Sequence, residues 1–135
     1  MRITVDTNIL VRIVVRDDVS QADRALELLE AAETVVIPLP CLCEFAWVLL
    51  ATYAIPPNKV AWSIRMVCDR ANVSVDDAAV AAGLVLLEAG GDFADGAIAL
   101  AGASMGGETF VSFDRKAVSL LARSGIDARL VDAIR

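Results

Sequence analysis

The chain has 135 residues, 57% of them hydrophobic, with a formal net charge of −6 and no histidine. That length gives a domain spanning residues 1–135 with room for a sizeable core. The missing imidazole excludes Ser-His-Asp and Cys-His catalysis and His-based zinc sites, so any chemistry must run on carboxylates, hydroxyls, Lys or Arg. The acidic balance also argues against broad nucleic-acid binding, because phosphates attract Lys and Arg. Divalent cations held by a cluster of acids would reverse the local field and soften that objection.

Mean hydropathy is +0.62, which leaves apolar surface for a partner. Pro38, Pro40, Glu44 and Glu88 break the longest apolar stretches below the roughly 18 residues that a membrane span needs. Asp6 spoils the N-terminus as a signal peptide. The three cysteines, Cys41, Cys43 and Cys68, are an odd number in apolar surroundings and read as small buried hydrophobes of a reducing cytoplasm. Cys41-x-Cys43 lacks the second pair of ligands that a structural zinc site uses.

Arg2-Ile3-Thr4-Val5 reads as a buried strand, and Asp6-Thr7-Asn8 as the turn into a helix over Thr7–Val15. Arg12 and Arg16 share one face of that helix. Asp17-Asp18-Val19-Ser20 breaks and caps. Val19, Ala22, Leu26, Leu29 and Ala32 then mark a second helix to about Glu33, with Glu27, Glu30 and Glu33 on its wet face. Thr34–Ile37 is a second buried strand, ended by Pro38 and Pro40, which lead into a helix from Leu42 to about Tyr53.

Within that helix Glu44 is surrounded in sequence by Cys41, Leu42, Cys43, Phe45, Ala46 and Trp47. A carboxylate in such company is costly unless it is paired, protonated or bound to metal; the plain alternative is a Glu on the wet face or in a salt bridge. Val60, Ile64, Val67 and Cys68 stripe a further helix ending near Arg70. Trp47, Tyr53 and Trp62 read as core or subunit interface. Asn72–Val75 is a brief third strand, and Asp76-Asp77 cap a helix over Ala78–Ala89, stopped by Gly90-Gly91.

Asp92-Phe93-Ala94-Asp95 opens the next helix like a capping box, with both acids suited to the helix dipole. Its small residues, Ala97 to Ser104, suit close packing on a sheet. Thr109–Phe113 is a fourth strand, Asp114-Arg115-Lys116 opens a helix through Ala122, and Ala128–Val131 is a final strand.

Strands and helices in this order predict an α/β fold with a mostly parallel sheet and helices on both faces. Gly90-Gly91, Gly106-Gly107 and Gly125 then fall at the far edge. Asp6, Glu44, Asp95 and Asp114 gather near the C-terminal edge of the strands, where ligands bind in such sheets. Capping explains each Asp separately but not Glu44, and not the convergence. Acids gathered in this way repel unless a cation is present. Magnesium with carboxylates and water suits phosphodiester hydrolysis.

The motifs Val5-Asp6-Thr7-Asn8-Ile9-Leu10, the lone Glu44, Asp92-Phe93-Ala94-Asp95-Gly96-Ala97-Ile98-Ala99 and Phe110-Val111-Ser112-Phe113-Asp114-Arg115-Lys116 resemble those of the PIN-domain nucleases. Among these the chain is similar to the VapC toxins of bacterial toxin–antitoxin pairs. The resemblance runs over essentially the whole chain. It implies a single PIN-like domain with strand order 3-2-1-4-5, and a Mg²⁺- or Mn²⁺-dependent endoribonuclease acting in the cytoplasm. It also implies an acidic quartet of Asp6, Glu44, Asp95 and Asp114 as catalytic and metal-binding residues. Thr7 matches the small hydroxyl that holds a carboxylate or water. Asp92 is an outer acid or, preferably, only a cap. Two departures stand out: Ser112 where Thr is usual, and Gly96 where Ala is common. Arg115, Lys116, Arg12 and Arg16 either steer RNA phosphate or are solvated surface.

The implied partners are RNA, a second copy of the chain and a cognate antitoxin. The antitoxin would lay an apolar segment in a groove and place a basic side chain in the acidic site. No membrane partner is implied. The alternative is a catalytically silent PIN-fold module that binds a protein partner. A phospho-aspartate protein fits poorly: Asn8 stands where the dehalogenase type needs a second Asp, and neither Lys59 nor Lys116 ends the last strand.

Overall fold

Asp6 leaves the extended backbone of β1 (Arg2–Thr4) and caps α1 (Thr7–Val15), and most of the molecule repeats this step from strand to helix. The computed structural model describes residues 1–134; Arg135, the last residue of the expected span, lies outside the described residues. The chain divides into two compact units, Met1–Asp76 and Asp77–Arg135.

The first unit continues with α2 (Val19–Ala31), β2 (Thr34–Val36), α3 (Leu39–Ala51), α4 (Pro57–Cys68) and β3 (Val73–Ser74). β2 is central and parallel to both neighbours, with Ile3 registered on Val35 and Val36 on Ser74. The strands are not buried on both sides, as the sequence suggested. Val35 and Ile37 are buried while Val36 is 38% exposed, and Ile3 is half-buried beside buried Val5. Successive side chains of a strand point to opposite faces, so one face is covered and the other partly open. α3 starts three residues earlier than expected, because Pro40 in its first turn is preorganised for helix and needs no N–H partner.

Leu10, Leu29, Val35, Leu42, Phe45, Leu49 and Ile64 are at most 1% exposed. Each such large side chain contributes about 1.5–3 kcal/mol on burial. Trp47 and Trp62 are not core: they are 64% and 62% exposed. Among the cysteines only Cys41 is fully buried, with Cys43 and Cys68 half-buried, and no disulfide joins them.

The second unit holds α5 (Asp77–Glu88), α6 (Phe93–Ser104), β4 (Phe110–Ser112), α7 (Arg115–Arg123), β5 (Ala128–Leu130) and a 3₁₀ turn (Val131–Ala133). β4 and β5 are parallel, Val111 facing Arg129. Leu86, Ala99, Leu120 and Leu121 form its core, flanked by Phe110, Ile126 and Ala128. Gly90, Gly106 and Gly125 take φ of +95°, +100° and +87° just past the ends of α5, α6 and α7, a conformation only glycine adopts freely.

The small residues of α6 serve close contact with α5 as well as with the strands, where Ala99 shares a core with Phe110 and Ala128. A Cβ at Gly83 would lie 2.5 Å from the Phe93 ring, and one at Gly96 only 2.3 Å from the Ala82 carbonyl oxygen. The expected single sheet of order 3-2-1-4-5 is also modified. The order β3-β2-β1 holds in one sheet and β4-β5 forms a second, with no ladder between β1 and β4 among the described residues. The strands are two or three residues long, and hydrophobic pattern over so short a stretch specifies a strand without specifying its neighbour. No helix is long and apolar enough to cross a membrane among the described residues.

Candidate functional site

In the first unit the candidate groups lie where α1 begins and along α3. Asp6 is exposed, and its Oδ1 accepts from Ile9 N at 3.2 Å. The capping role is therefore real, but it engages one carboxylate oxygen. The Thr7 hydroxyl donates to Glu44 Oε2 at 3.2 Å, joining residues 37 positions apart. Glu44 itself is exposed, so the expectation that apolar company would strain it does not hold. Leu42, Phe45 and Ala46 are buried on other faces of α3, and helical rotation turns Glu44 outward.

Cys41 sits beneath this pair. Burial pushes its thiol up, Asp6 and Glu44 push it further, and a Thr7 hydrogen bond opposes them. The thiol therefore stays neutral and is neither nucleophile nor thiolate ligand. Burial likewise raises the Cys43 thiol.

In the second unit Asp92, Asp95 and Asp114 line one cavity of ≈ 140 Å³ with Gly90, Gly91, Lys116 and Ala117. The glycines were expected at the opposite edge. They arrive here because α5 runs into α6 with no strand between, so the end of one helix meets the start of the next. Asp114 caps α7: its Oδ1 accepts from Lys116 N at 2.9 Å and Ala117 N at 3.1 Å, while its own N–H donates to Ser112 Oγ at 3.0 Å. Ser112 thus pins the turn that presents Asp114.

Asp92 occupies the cap position of α6, yet its side chain makes no capping hydrogen bond, against the preferred reading of it as a cap. Its carboxylate faces the shared cavity instead. Asp95 is held above the usual carboxylate range, first by burial and then by the charges of Asp92 and Asp114. Lys116 lines the cavity, whereas Arg115 is exposed and does not.

The basic residues of α1 are largely committed. Arg12 Nη1 pairs with Asp17 Oδ1 at 2.9 Å, and Arg16 Nη2 pairs with Asp23. Gln21 and Arg24, which sequence reasoning passed over, line a groove of ≈ 440 Å³ together with Asp6, Asn8, Ile9, Arg12, Ala25 and Leu28. The only sequence signal for it was the polar run next to Asp6.

Within neither unit do three Asp, Glu, Cys or His groups close into a ready-made metal cage among the described residues. The donor chemistry nonetheless fits a hard divalent cation, which takes one or two carboxylates and completes its shell with water. Both neighbourhoods offer carboxylate and hydroxyl oxygen with no thiolate. The mutual repulsion felt at Asp95 is what a cation would relieve.

An acidic α/β protein with oxygen-donor groups at its strand-to-helix turns is the class defined so far. The PIN domain profile matches residues 3–122, and the chain belongs to the PIN domain family. PIN domains are generally nucleases and typically use divalent metals. No curated protein and no solved structure matches the chain.

Proposed function

We propose that the protein is a Mg²⁺- or Mn²⁺-dependent endoribonuclease of the VapC toxin type, acting in the cytoplasm. The proposed catalytic carboxylates are Asp6 and Glu44 in the first unit and Asp95 and Asp114 in the second. The observation that carries this reading is the cavity lined by Asp92, Asp95 and Asp114, where burial and then the charges of the two neighbouring acids raise the pKa of Asp95. A fold has no use for such repulsion, whereas a cation site does.

When bound, the metal activates water and neutralises charge on the phosphate. Within the first unit Asp6 and Glu44, and within the second Asp95 and Asp114, are the carboxylates that would hold it. Thr7 fixes the orientation of Glu44 through its hydrogen bond, and Ser112 together with the α7 amides fixes Asp114. Asp92 orients water at the rim, and the Lys116 ammonium attracts a phosphate oxygen.

An antitoxin and a second copy of the chain are the proposed protein partners. Supporting the first is an apolar groove of ≈ 230 Å³ in the first unit, lined by Ile13, Val14, Leu26, Leu29, Trp62 and Met66 among others. Trp62 and Met66 are more than half exposed, and Arg70 Nε in its wall is buried without a hydrogen-bond partner. A partner segment carrying an apolar side chain and an acceptor would satisfy both. Exposed Trp47 on α3 is the corresponding anchor for a second copy.

The groove equally suits a silent binding module, so cleavage decides between the readings. Purified protein is incubated with a mixed cellular RNA pool in Mg²⁺ or Mn²⁺, then with chelator, beside Asp6→Asn. We expect metal-dependent cutting that the variant loses, with the fold intact because Asn also caps helices. Cutting retained by Asp6→Asn would refute the site. No cutting by folded protein that binds the antitoxin by calorimetry would favour the silent module.

A further inference from the structure

The groove beside Asp6 differs from the rest of this acidic surface. Apart from Asp6 it is lined by no carboxylate, and two arginines enter it from different helices, Arg12 from α1 and Arg24 from α2. The guanidinium of Arg12 is held in place: Nε donates to Gln21 Oε1 at 2.9 Å, and Nη1 to Asp17 Oδ1 at 2.9 Å. Asp17 is braced in turn by the Tyr53 hydroxyl at 3.3 Å. Nη2 of Arg12 is left without a bond among the described residues.

Arg24 is exposed, and no ion pair or hydrogen bond engages it among the described residues, although Glu27 stands one helical turn away. Arg16, by contrast, is paired with Asp23, the residue beside Arg24. So α2 supplies counter-charge through Asp23 to Arg16, at the end of α1, and leaves its own arginine uncompensated. Between the two arginines the floor is apolar, made by Ile9, Ala25 and Leu28, with Asn8 supplying an amide. A fixed guanidinium, a second, exposed one, an amide and an apolar floor match a phosphate followed by a ribose or base. At ≈ 440 Å³ the groove falls in the range of small-ligand clefts, roughly 300–1,000 Å³.

We infer that this groove is the track for the RNA backbone flanking the cut. Arg24 binds a phosphate, and Arg12 is a second donor positioned by Asp17 and Gln21. The inference rests on the ribonuclease reading and goes beyond it, because it assigns which face of the first unit the strand crosses.

The test is binding of a fluorescein-labelled single-stranded RNA of mixed sequence across a salt series, with Ca²⁺ in place of Mg²⁺ to prevent cutting. Wild-type protein is compared with Arg24→Ala and Arg24→Lys, and cleavage of the same strand by wild-type protein in Mg²⁺ is run alongside. Arg24→Ala should weaken binding by about tenfold at low salt and flatten the slope of log K against log salt by about 0.7. Arg24→Lys should recover most of the slope, because it keeps the charge. Unchanged thermal unfolding of both variants is expected from the exposed position.

If wild-type protein cuts the RNA while Arg24→Ala keeps its affinity and slope, the groove is not the track, and the nuclease reading stands. Wild-type protein that neither binds nor cuts would overturn both. A polyglutamate peptide bound with Arg24 dependence, while RNA binding is indifferent to Arg24, would assign the groove to an acidic protein segment and overturn the inference.

Discussion

Replacing Gly96 by Ala should destabilise the second unit, although Ala is the better helix former and the residue that resembling chains commonly carry there. The added Cβ would meet the Ala82 carbonyl oxygen at 2.3 Å, its carbon at 2.8 Å and Gly83 Cα at 3.0 Å. All three are backbone atoms, so no side-chain rotation relieves the clash. α5 and α6 would have to separate by about an ångström, which also loosens Phe93 on Gly83. Overpacking of this kind costs about 1–3 kcal/mol, and rigid backbone neighbours place it at the upper end. Helix propensity returns at most about 1 kcal/mol. The net loss is about 2 kcal/mol, or a fall in Tm of roughly 6–10 °C for a chain of this size. Gly102→Ala is the internal control. It lies in the same helix with nothing within 4 Å of the new Cβ, so it should gain up to about 1 kcal/mol from propensity alone. Urea and thermal unfolding of both variants check this. Equal or higher stability of Gly96→Ala would refute the helix contact as drawn.

Asp95 gives a pH dependence of definite sign. Its pKa is raised in the folded state, so above the ordinary value of 3.8 the folded protein holds a proton that the unfolded chain has released. Stability therefore falls as pH rises through that window, and the full penalty remains above the folded pKa. Asp95→Asn should raise the Tm of metal-free protein at neutral pH and lose that advantage in acid, as measured by thermal unfolding against pH. Added Mg²⁺ should narrow the gap at neutral pH. Asp127 acts in the opposite direction: hydrogen bonds from Thr109 and Arg129 lower its pKa, so its contribution is present above the ordinary value and is lost as pH falls through the lowered one. Thr109→Val should remove part of this acid sensitivity in the same titration. Ser112→Ala should lower RNA cleavage several-fold with little change in Tm, whereas Ser112→Thr keeps the acceptor for Asp114 N–H and should retain activity.

Most elements could be read from the sequence because local signals and packing agree. Thr7–Val15 forms the helix anticipated despite its β-branched residues, since Asp6 caps it and Leu10 and Val11 bury its inner face. The glycines that end α5, α6 and α7 were readable from the same kind of local chemistry. What failed was non-local. Hydrophobic pattern could not say which strands share a ladder, that α6 lies on α5, or that Gly90-Gly91 would meet Asp92. Glu44 misled because its neighbours in sequence are apolar, although helical rotation leaves its own side chain exposed beside exposed Trp47. Arg24 escaped notice because nothing local separates a free arginine from one of a surface pair.

Capping and metal-binding look like rival explanations for Asp6 and Asp114, but the hydrogen bonds make them compatible. Each carboxylate gives a single oxygen, Oδ1, to the amides of its helix. The bond to the amides fixes the side-chain rotamer and so aims Oδ2 away from the helix end, and the order it imposes is paid for by folding rather than by the ligand. A cap alone would be served equally well by Ser or Asn. A carboxylate in that position supplies a cap and a second, oriented, anionic oxygen from one residue. Asp92 makes the complementary case: it stands at a cap position and gives no oxygen to the helix, so both of its oxygens remain for the cavity it shares with Asp95 and Asp114. On this reasoning Asp6→Ser should keep the stability of α1 while abolishing metal-dependent cleavage. The reverse result, a variant that cleaves but unfolds early, would leave Asp6 as a cap and nothing more.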